Sequence, residues 1–180
     1  MEAQTIQLQA GEVGSAAAIQ DAIDALGPPG GRVILPEGEI VLDRGLELRS
    51  HVTLEGQGQT TRLLKAPGRI YPLTGYHNYG MRDVPLEVTD GLEPGMTVAI
   101  RDEEHGGFYE TFARLTWVEE GWVGLDRGLH SDYRANLHPV LVTSYPLIFA
   151  IGVEDVAVRN LSLDGDRDRQ PAGIGACRGA

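Results

Sequence analysis

The densest group of chemistry-bearing side chains is Asp164-Gly165-Asp166-Arg167-Asp168. Alternating carboxylates can converge as oxygen ligands on a hard cation, so Asp164, Asp166 and Asp168 form a candidate Ca²⁺ site. The spacing resembles the start of an EF-hand loop. That loop needs Gly where this chain has Arg169 and Glu where it has Gly175, so an EF-hand is excluded. The plainer alternative is a solvated turn whose carboxylates are neutralised by Arg167 and Arg169. A second acidic group is Asp102-Glu103-Glu104-His105. Paired carboxylates divide acid and base roles only when their surroundings separate their pKa values. Adjacent residues on a hairpin tip stay wet, so this group reads as a solvated tip.

Aromatic residues gather between positions 71 and 133: Tyr71, Tyr76, Tyr79, Phe108, Tyr109, Trp117, Trp122 and Tyr133. Aromatic faces stack on sugar rings. The run Tyr71-Pro72-Leu73-Thr74-Gly75-Tyr76-His77-Asn78-Tyr79 alternates polar and aromatic groups without a strand pattern. Tyr71, Tyr76 and Tyr79 are therefore the substrate-binding candidates. Trp117 and Trp122 instead read as a cross-strand pair holding a hairpin together. The five histidines form no close ligand pair on one helix or hairpin. His130 and His138 flank Asp132 and Tyr133 in a loop that could border a sugar cleft, although nothing in the spacing demands it. No nucleophile elbow, phosphate loop or dinucleotide fingerprint occurs. Cys177 is solitary and reads as a small buried side chain. No residue is assigned a catalytic role.

The elements that must position these groups are short. Ser15 suits an N-cap, and Ala16, Ile19, Ile23 and Leu26 recur at spacings of three and four, which predicts one amphipathic helix. Gly27 and Pro28-Pro29 end it. Five short β-rich runs follow: Arg32 to Leu35, Glu39 to Leu42, Leu46 to Leu48, His51 to Leu54 and Arg62 to Leu64. Each stops at a turn signal, and no helical segment separates them, which excludes βαβ units. Val33-Ile34-Leu35 and Val52-Thr53-Leu54 lie 19 residues apart. The stretch His51 to Gly56 resembles Asp155 to Asn160. A period of about 20 with several strands per turn is the signature of a solenoid. Between Pro67 and Pro146 the rhythm breaks into longer antiparallel runs at 84–88, 96–101, 112–118 and 121–126. Glu119-Glu120-Gly121 and the 102–107 stretch read as hairpin tips.

Composition bounds the rest. A net charge of −11 excludes a protein that grips nucleic-acid phosphates by bulk charge. No run of about 18 apolar residues is present to span a membrane. Lys65 is the sole lysine, so there is no polybasic patch. One cysteine cannot build an intramolecular disulfide framework. Met1-Glu2-Ala3-Gln4 lacks the regions of a signal peptide.

Together, Ala17 to Leu26 followed by Gly30-Gly31-Arg32-Val33-Ile34-Leu35-Pro36-Glu37-Gly38 resembles the opening of pectate-lyase-like right-handed parallel β-helix proteins. That superfamily includes polysaccharide lyases, galacturonase-type glycoside hydrolases and phage tailspikes. Val52 to Gly58 and Glu154 to Gly165 fit the same pattern, with Asp166 where Asn is more usual. The resemblance implies a mainly β fold: a right-handed single-stranded parallel β-helix with an N-terminal capping helix and an inserted antiparallel β module. The expected divisions are 1–66 for the cap and first coils, 67–146 for the insert, and 147–180 where the coils resume. It implies a carbohydrate-active protein, the N-terminal part of a polysaccharide lyase or glycoside hydrolase. The alternative is a non-catalytic glycan-binding or structural tailspike-like module. The expected partner is a polysaccharide or oligosaccharide, and the resemblance implies export. An open last coil leaves strand groups unpaired, which predicts self-association.

Overall fold

The computed structural model describes residues 4–171. Along the chain come β1 (Gln4–Gln7), α1 (Ala16–Ala25), β2 (Gly31–Ile34), β3 (Gly38–Leu42), β4 (Leu46–Glu47), β5 (Val52–Glu55) and β6 (Thr61–Lys65). Next are β7 (Ile70–Pro72), β8 (Asp83–Pro85), β9 (Thr97–Arg101), β10 (Thr111–Glu119), β11 (Trp122–Leu125) and β12 (Val140–Thr143). Last are β13 (Ile148–Phe149), β14 (Ala157–Arg159) and β15 (Ser162–Asp164). The fold is mainly β. Two compact units divide it. One holds the described residues up to Ala66 together with Pro146–Asp166; the other holds Pro67–Tyr145 and the described residues from Arg167.

In the first unit the chain visits three parallel sheets in a fixed order. After β1, which lies at the edge of the first sheet, β2, β3 and β4 lie one in each; β5 and β6 stack on β2 and β3, and β13, β14 and β15 stack on β4, β5 and β6. Apolar side chains facing inward form columns. Val33 pairs with Leu54 and Leu54 with Val158; Ile40 pairs with Leu63 and Leu63 with Leu163. Val33, Leu54 and Leu63 are fully buried, whereas Val158 and Leu163 are 40% and 49% exposed. At the other side β1 pairs with β2, an element without a clear sequence signal.

The helix α1 closes the same core. Ala16, Ile19, Ala22, Ile23 and Leu26 are buried with Val33, Leu46 and Leu54. Ser15 sits extended at the N-cap, but its side chain makes no cap hydrogen bond, contrary to the sequence expectation. Apolar burial, and not the cap, therefore fixes where this helix starts. Gly27 ends the helix with φ +60, its N–H donating to the Asp24 carbonyl at 3.2 Å. Gln20 pins the helix to β4, accepting from the Glu47 N–H at 2.8 Å and donating to the Glu47 carbonyl at 3.0 Å.

The observed register corrects the 19-residue alignment. Gly31 pairs with Val52, and Val33 pairs with Leu54 rather than Val52. The two alignments differ by two residues, and a shift of two leaves every side chain on its original face. Alternation alone therefore cannot separate them. The similarity of His51–Gly56 to Asp155–Asn160 coincides with the observed pairing of Thr53 with Ala157.

The second unit is one antiparallel sheet in the order β7-β12-β9-β10-β11-β8. Val84, Val98, Ile100, Leu115, Val123 and Leu141 lie in its core. β7 and β12 extend the sheet beyond the runs legible in the sequence. The hairpin at Glu119-Glu120-Gly121 joins β10 to β11, with Glu119 opposite Trp122. A bulge between Leu115 and Trp117 sets Trp117 opposite Gly124, so the two tryptophans do not form the expected direct pair. The Trp117 indole lies so close over Gly124 that a Cβ there would fall 2.1 Å from its Nε1. Absence of a side chain at Gly124 is what gives the indole its place.

Candidate functional site

Three loops of the antiparallel unit meet at a polar cleft of about 390 Å³. Tyr79 comes from the β7–β8 connection, Glu104 and His105 from β9–β10, and Ser131, Asp132 and Arg134 from β11–β12. Antiparallel pairing of β9 with both β10 and β12 brings these distant sequence segments to one place.

The β9–β10 loop is organised from inside. Asp102 has a side chain with no solvent exposure. Its Oδ1 accepts the Glu104 N–H at 2.9 Å and the His105 N–H at 2.6 Å. The same carboxylate holds His105 Nδ1 at 2.9 and 3.0 Å from its two oxygens. The solvated-tip expectation is thus corrected for Asp102. By accepting the N–H groups two and three residues on, the Asp102 side chain closes an Asx turn and is held inward beneath His105. Glu103 stays exposed and pairs with His138 Nδ1 at 3.0 Å.

Beneath the loop, Tyr133 is a buried hub. Its hydroxyl accepts the Thr111 N–H at 3.0 Å, lies 2.6 Å from Thr111 Oγ1, and donates to the Ile100 carbonyl at 3.0 Å. The His105 ring meets the Tyr133 ring edge-on at 5.7 Å. Burial pushes the Tyr133 phenol above its ordinary value, with the Asp102 and Glu110 charges adding to it and the Thr111 hydrogen bonds opposing. His77 is 2% exposed, and burial pushes its imidazole below the ordinary value against smaller raising effects of the Thr74 backbone and Asp102. The Asp132 Oδ1 accepts the Tyr79 N–H at 2.7 Å, tying two walls of the cleft together.

The three tyrosines singled out from the sequence go to different places. Tyr79 lines the cleft and is 72% exposed. Tyr76 is equally exposed, and its hydroxyl accepts from Asn78 Nδ2 at 2.7 Å. Tyr71 is 4% exposed and packs into the sheet core, its hydroxyl donating to the Asp90 carbonyl at 3.0 Å. Its place on β7, one position from Ile70, puts it on the inner face. It presents no ring face to a ligand.

The aspartates proposed for Ca²⁺ do not gather as a ligand set. Asp164 and Asp166 belong to the parallel-sheet unit and Asp168 to the other. Asp164 Oδ1 accepts the Asp166 N–H at 2.8 Å in a turn where Asp166 has φ +50, and Arg62 pairs with Asp164 Oδ2. Arg62 of the neighbouring strand β6 thus helps to neutralise Asp164. Among the described residues no group of three His, Cys, Asp or Glu side chains is arranged to hold a metal ion. Cys177 lies outside the described residues. Sequence reading missed Arg134, Ser131 and the role of Asp102. The Asp102-x-x-His105 spacing before Gly106-Gly107 was the available signal for the last.

No protein-family model and no curated protein matches this chain. Among solved structures, the chain is similar to the tailspike gp61 of Pseudomonas phage phi297, at 16% identity over 81% of this chain and 28% of that one, with a TM-score of 0.40. It is similar to the tailspike gp49 of Pseudomonas phage LKA1, at 18% identity over 82% and 32%, with a TM-score of 0.34. It is also similar to the gp54 tailspike of Acinetobacter baumannii bacteriophage AP22, solved with A. baumannii capsular saccharide, at 10% identity over 81% and 28%, with a TM-score of 0.39. The chain spans less than a third of each of those chains.

Proposed function

We propose that the chain is a glycan-recognising protein whose parallel coils are the opening of a right-handed β-helix and whose antiparallel module carries the sugar site. The observation that carries this reading is the composition of the cleft. Exposed Tyr79 offers a ring face at the wall, and Glu104, Asp132, Ser131, Arg134 and His105 offer donors and acceptors around it. Sugars present apolar ring faces edged by hydroxyls, so they need both kinds of contact at once. The volume falls within the usual small-ligand range of about 300–1,000 Å³.

The charges select among glycans. Glu104 and Asp132 outnumber Arg134 at the cleft, and the whole chain carries −11. A polyanionic glycan would be repelled, so neutral or amine-bearing sugars fit better. This favours recognition over the elimination chemistry of a polyuronate lyase.

Calorimetric titration or a glycan array tests the proposal. Neutral oligosaccharides are expected to bind, and Tyr79→Ala to weaken binding about tenfold, in line with loss of one aromatic contact of about 0.5–1.5 kcal/mol. Absence of binding across neutral, amino and acidic glycans would sink the reading.

A further inference from the structure

Asp102 and His105 make more of a site than recognition requires. Asp102 is a carboxylate without solvent exposure, and both of its oxygens face one ring nitrogen of His105 at 2.9 and 3.0 Å. Its remaining bonds are to the Glu104 and His105 backbone N–H groups. The imidazole is fixed a second way by its edge-on contact with Tyr133, whose hydroxyl is itself anchored to Thr111 and Ile100. A carboxylate on Nδ1 sets the tautomer: Nδ1 carries a proton, and Nε2 is the nitrogen that can take one or give one. His105 lines the cleft and its side chain is 28% exposed, so this held imidazole is open to a ligand. Arg134 lines the same cleft and brings a permanent positive charge.

We propose that this cleft hydrolyses an O-acyl ester on a bound glycan, with His105 as the catalytic base and acid and Asp102 as its positioning residue. The glycan part rests on the function proposed above. An imidazole suits acyl transfer near neutrality, which needs a proton removed from the nucleophile and returned to the leaving oxygen. His105 Nε2 takes a proton from water as the water oxygen bonds to the acyl carbon. The carbonyl electron pair moves onto its oxygen, where the Arg134 guanidinium offsets the charge. Collapse restores the carbonyl and breaks the bond to the sugar oxygen, which receives the proton from Nε2. The products are a carboxylic acid and a free sugar hydroxyl. Water is the only co-reactant, and nothing is oxidised or reduced.

The test uses two kinds of ester, p-nitrophenyl acetate and an O-acetylated neutral polysaccharide, with acetate release measured for the second. The protein is expected to hydrolyse both above the buffer rate. His105→Gln is expected to lose at least about a hundredfold. Asp102→Asn is expected to lower the rate while binding of the deacetylated polysaccharide persists. His51→Asn, far along the sequence in the parallel-sheet unit, controls for hydrolysis by any surface imidazole and is expected to change nothing. Thermal melts show whether each variant is folded. A folded wild type that hydrolyses neither ester, or a His105→Gln variant with the wild-type rate, overturns the proposal. Calorimetric titration with the deacetylated polysaccharide reports recognition separately, so failed hydrolysis with retained binding removes only the esterase inference.

Discussion

Arg62 and His105 both sit beside carboxylates, and their surroundings show how differently the two units use charge. Arg62 lies on β6 between Glu39 of β3 and Asp164 at the end of β15. Glu55 on β5 is placed alike, between Arg32 at 3.3 Å and Arg159 at 3.1 Å. Parallel pairing sets Glu39 beside Arg62 and Glu55 beside Arg159 in register, while Asp164 and Arg32 reach the same groups from two positions away, so charges meet opposite charges on neighbouring strands near the surface. Burial tends to raise the Glu55 carboxyl, but hydrogen bonds from Arg159 and Asn160 and the charges of Arg159 and Arg32 hold it below its ordinary value. In the antiparallel unit, loops of unlike sequence meet instead. There a carboxylate is buried under a histidine, and unlike groups converge on one cleft. Rows stabilise a surface; convergent loops make a site.

The largest expected effects come from the two cores. Leu54 and Leu141 are each fully buried, one in each unit. Leu54→Ala and Leu141→Ala should each cost about 2–5 kcal/mol. Calorimetry is expected to show the first variant lowering a transition that the second leaves in place, and the reverse. If both variants shift a single shared transition, the two units do not unfold as separate cooperative bodies.

A smaller effect separates the units by pH. Burial lowers the His77 pKa in the folded state, so the unfolded chain binds the proton more readily. Stability from neutral His77 is present above the unfolded imidazole value of about 6.5 and is lost as pH falls from there through the folded value. Melting of the antiparallel unit should therefore drop on acidification, and His77→Phe should flatten that dependence. An unchanged slope in the variant would assign the acid sensitivity elsewhere.

The smallest effect belongs to the charge rows. Arg62→Gln is expected to lower the melting temperature slightly at low salt and not at all in 1 M salt, because exposed pairs are screened. A loss that persists in high salt would mean that Arg62 contributes packing, and would weaken the contrast between rows and cleft.

Much of the parallel unit was legible in the residues. All five short runs after Gly30-Gly31 are strands, because alternating apolar side chains ended by Gly and Pro turns leave few alternatives. The helix stripe likewise named its buried face. Register was harder, since 19- and 21-residue spacings bury the same side chains. In the antiparallel unit the runs at 96–101, 112–118 and 121–126 were visible, but β7 and β12 were not. Tyr71 was misjudged because a polar neighbourhood in sequence says nothing about which face a short strand presents.

The chain's own pattern of apolar residues and turns determined that it would build short parallel strands, one helix and an antiparallel insert. These depend on contacts a few residues apart or on a period, which a sequence displays directly. The site was decided only by tertiary structure. Tyr79, His105 and Asp132 are far apart in the chain, and strand pairing across β9, β10 and β12 brings their loops together. Burial of Asp102 follows from the same packing, and it is burial that turns an acidic tip into a carboxylate holding a histidine.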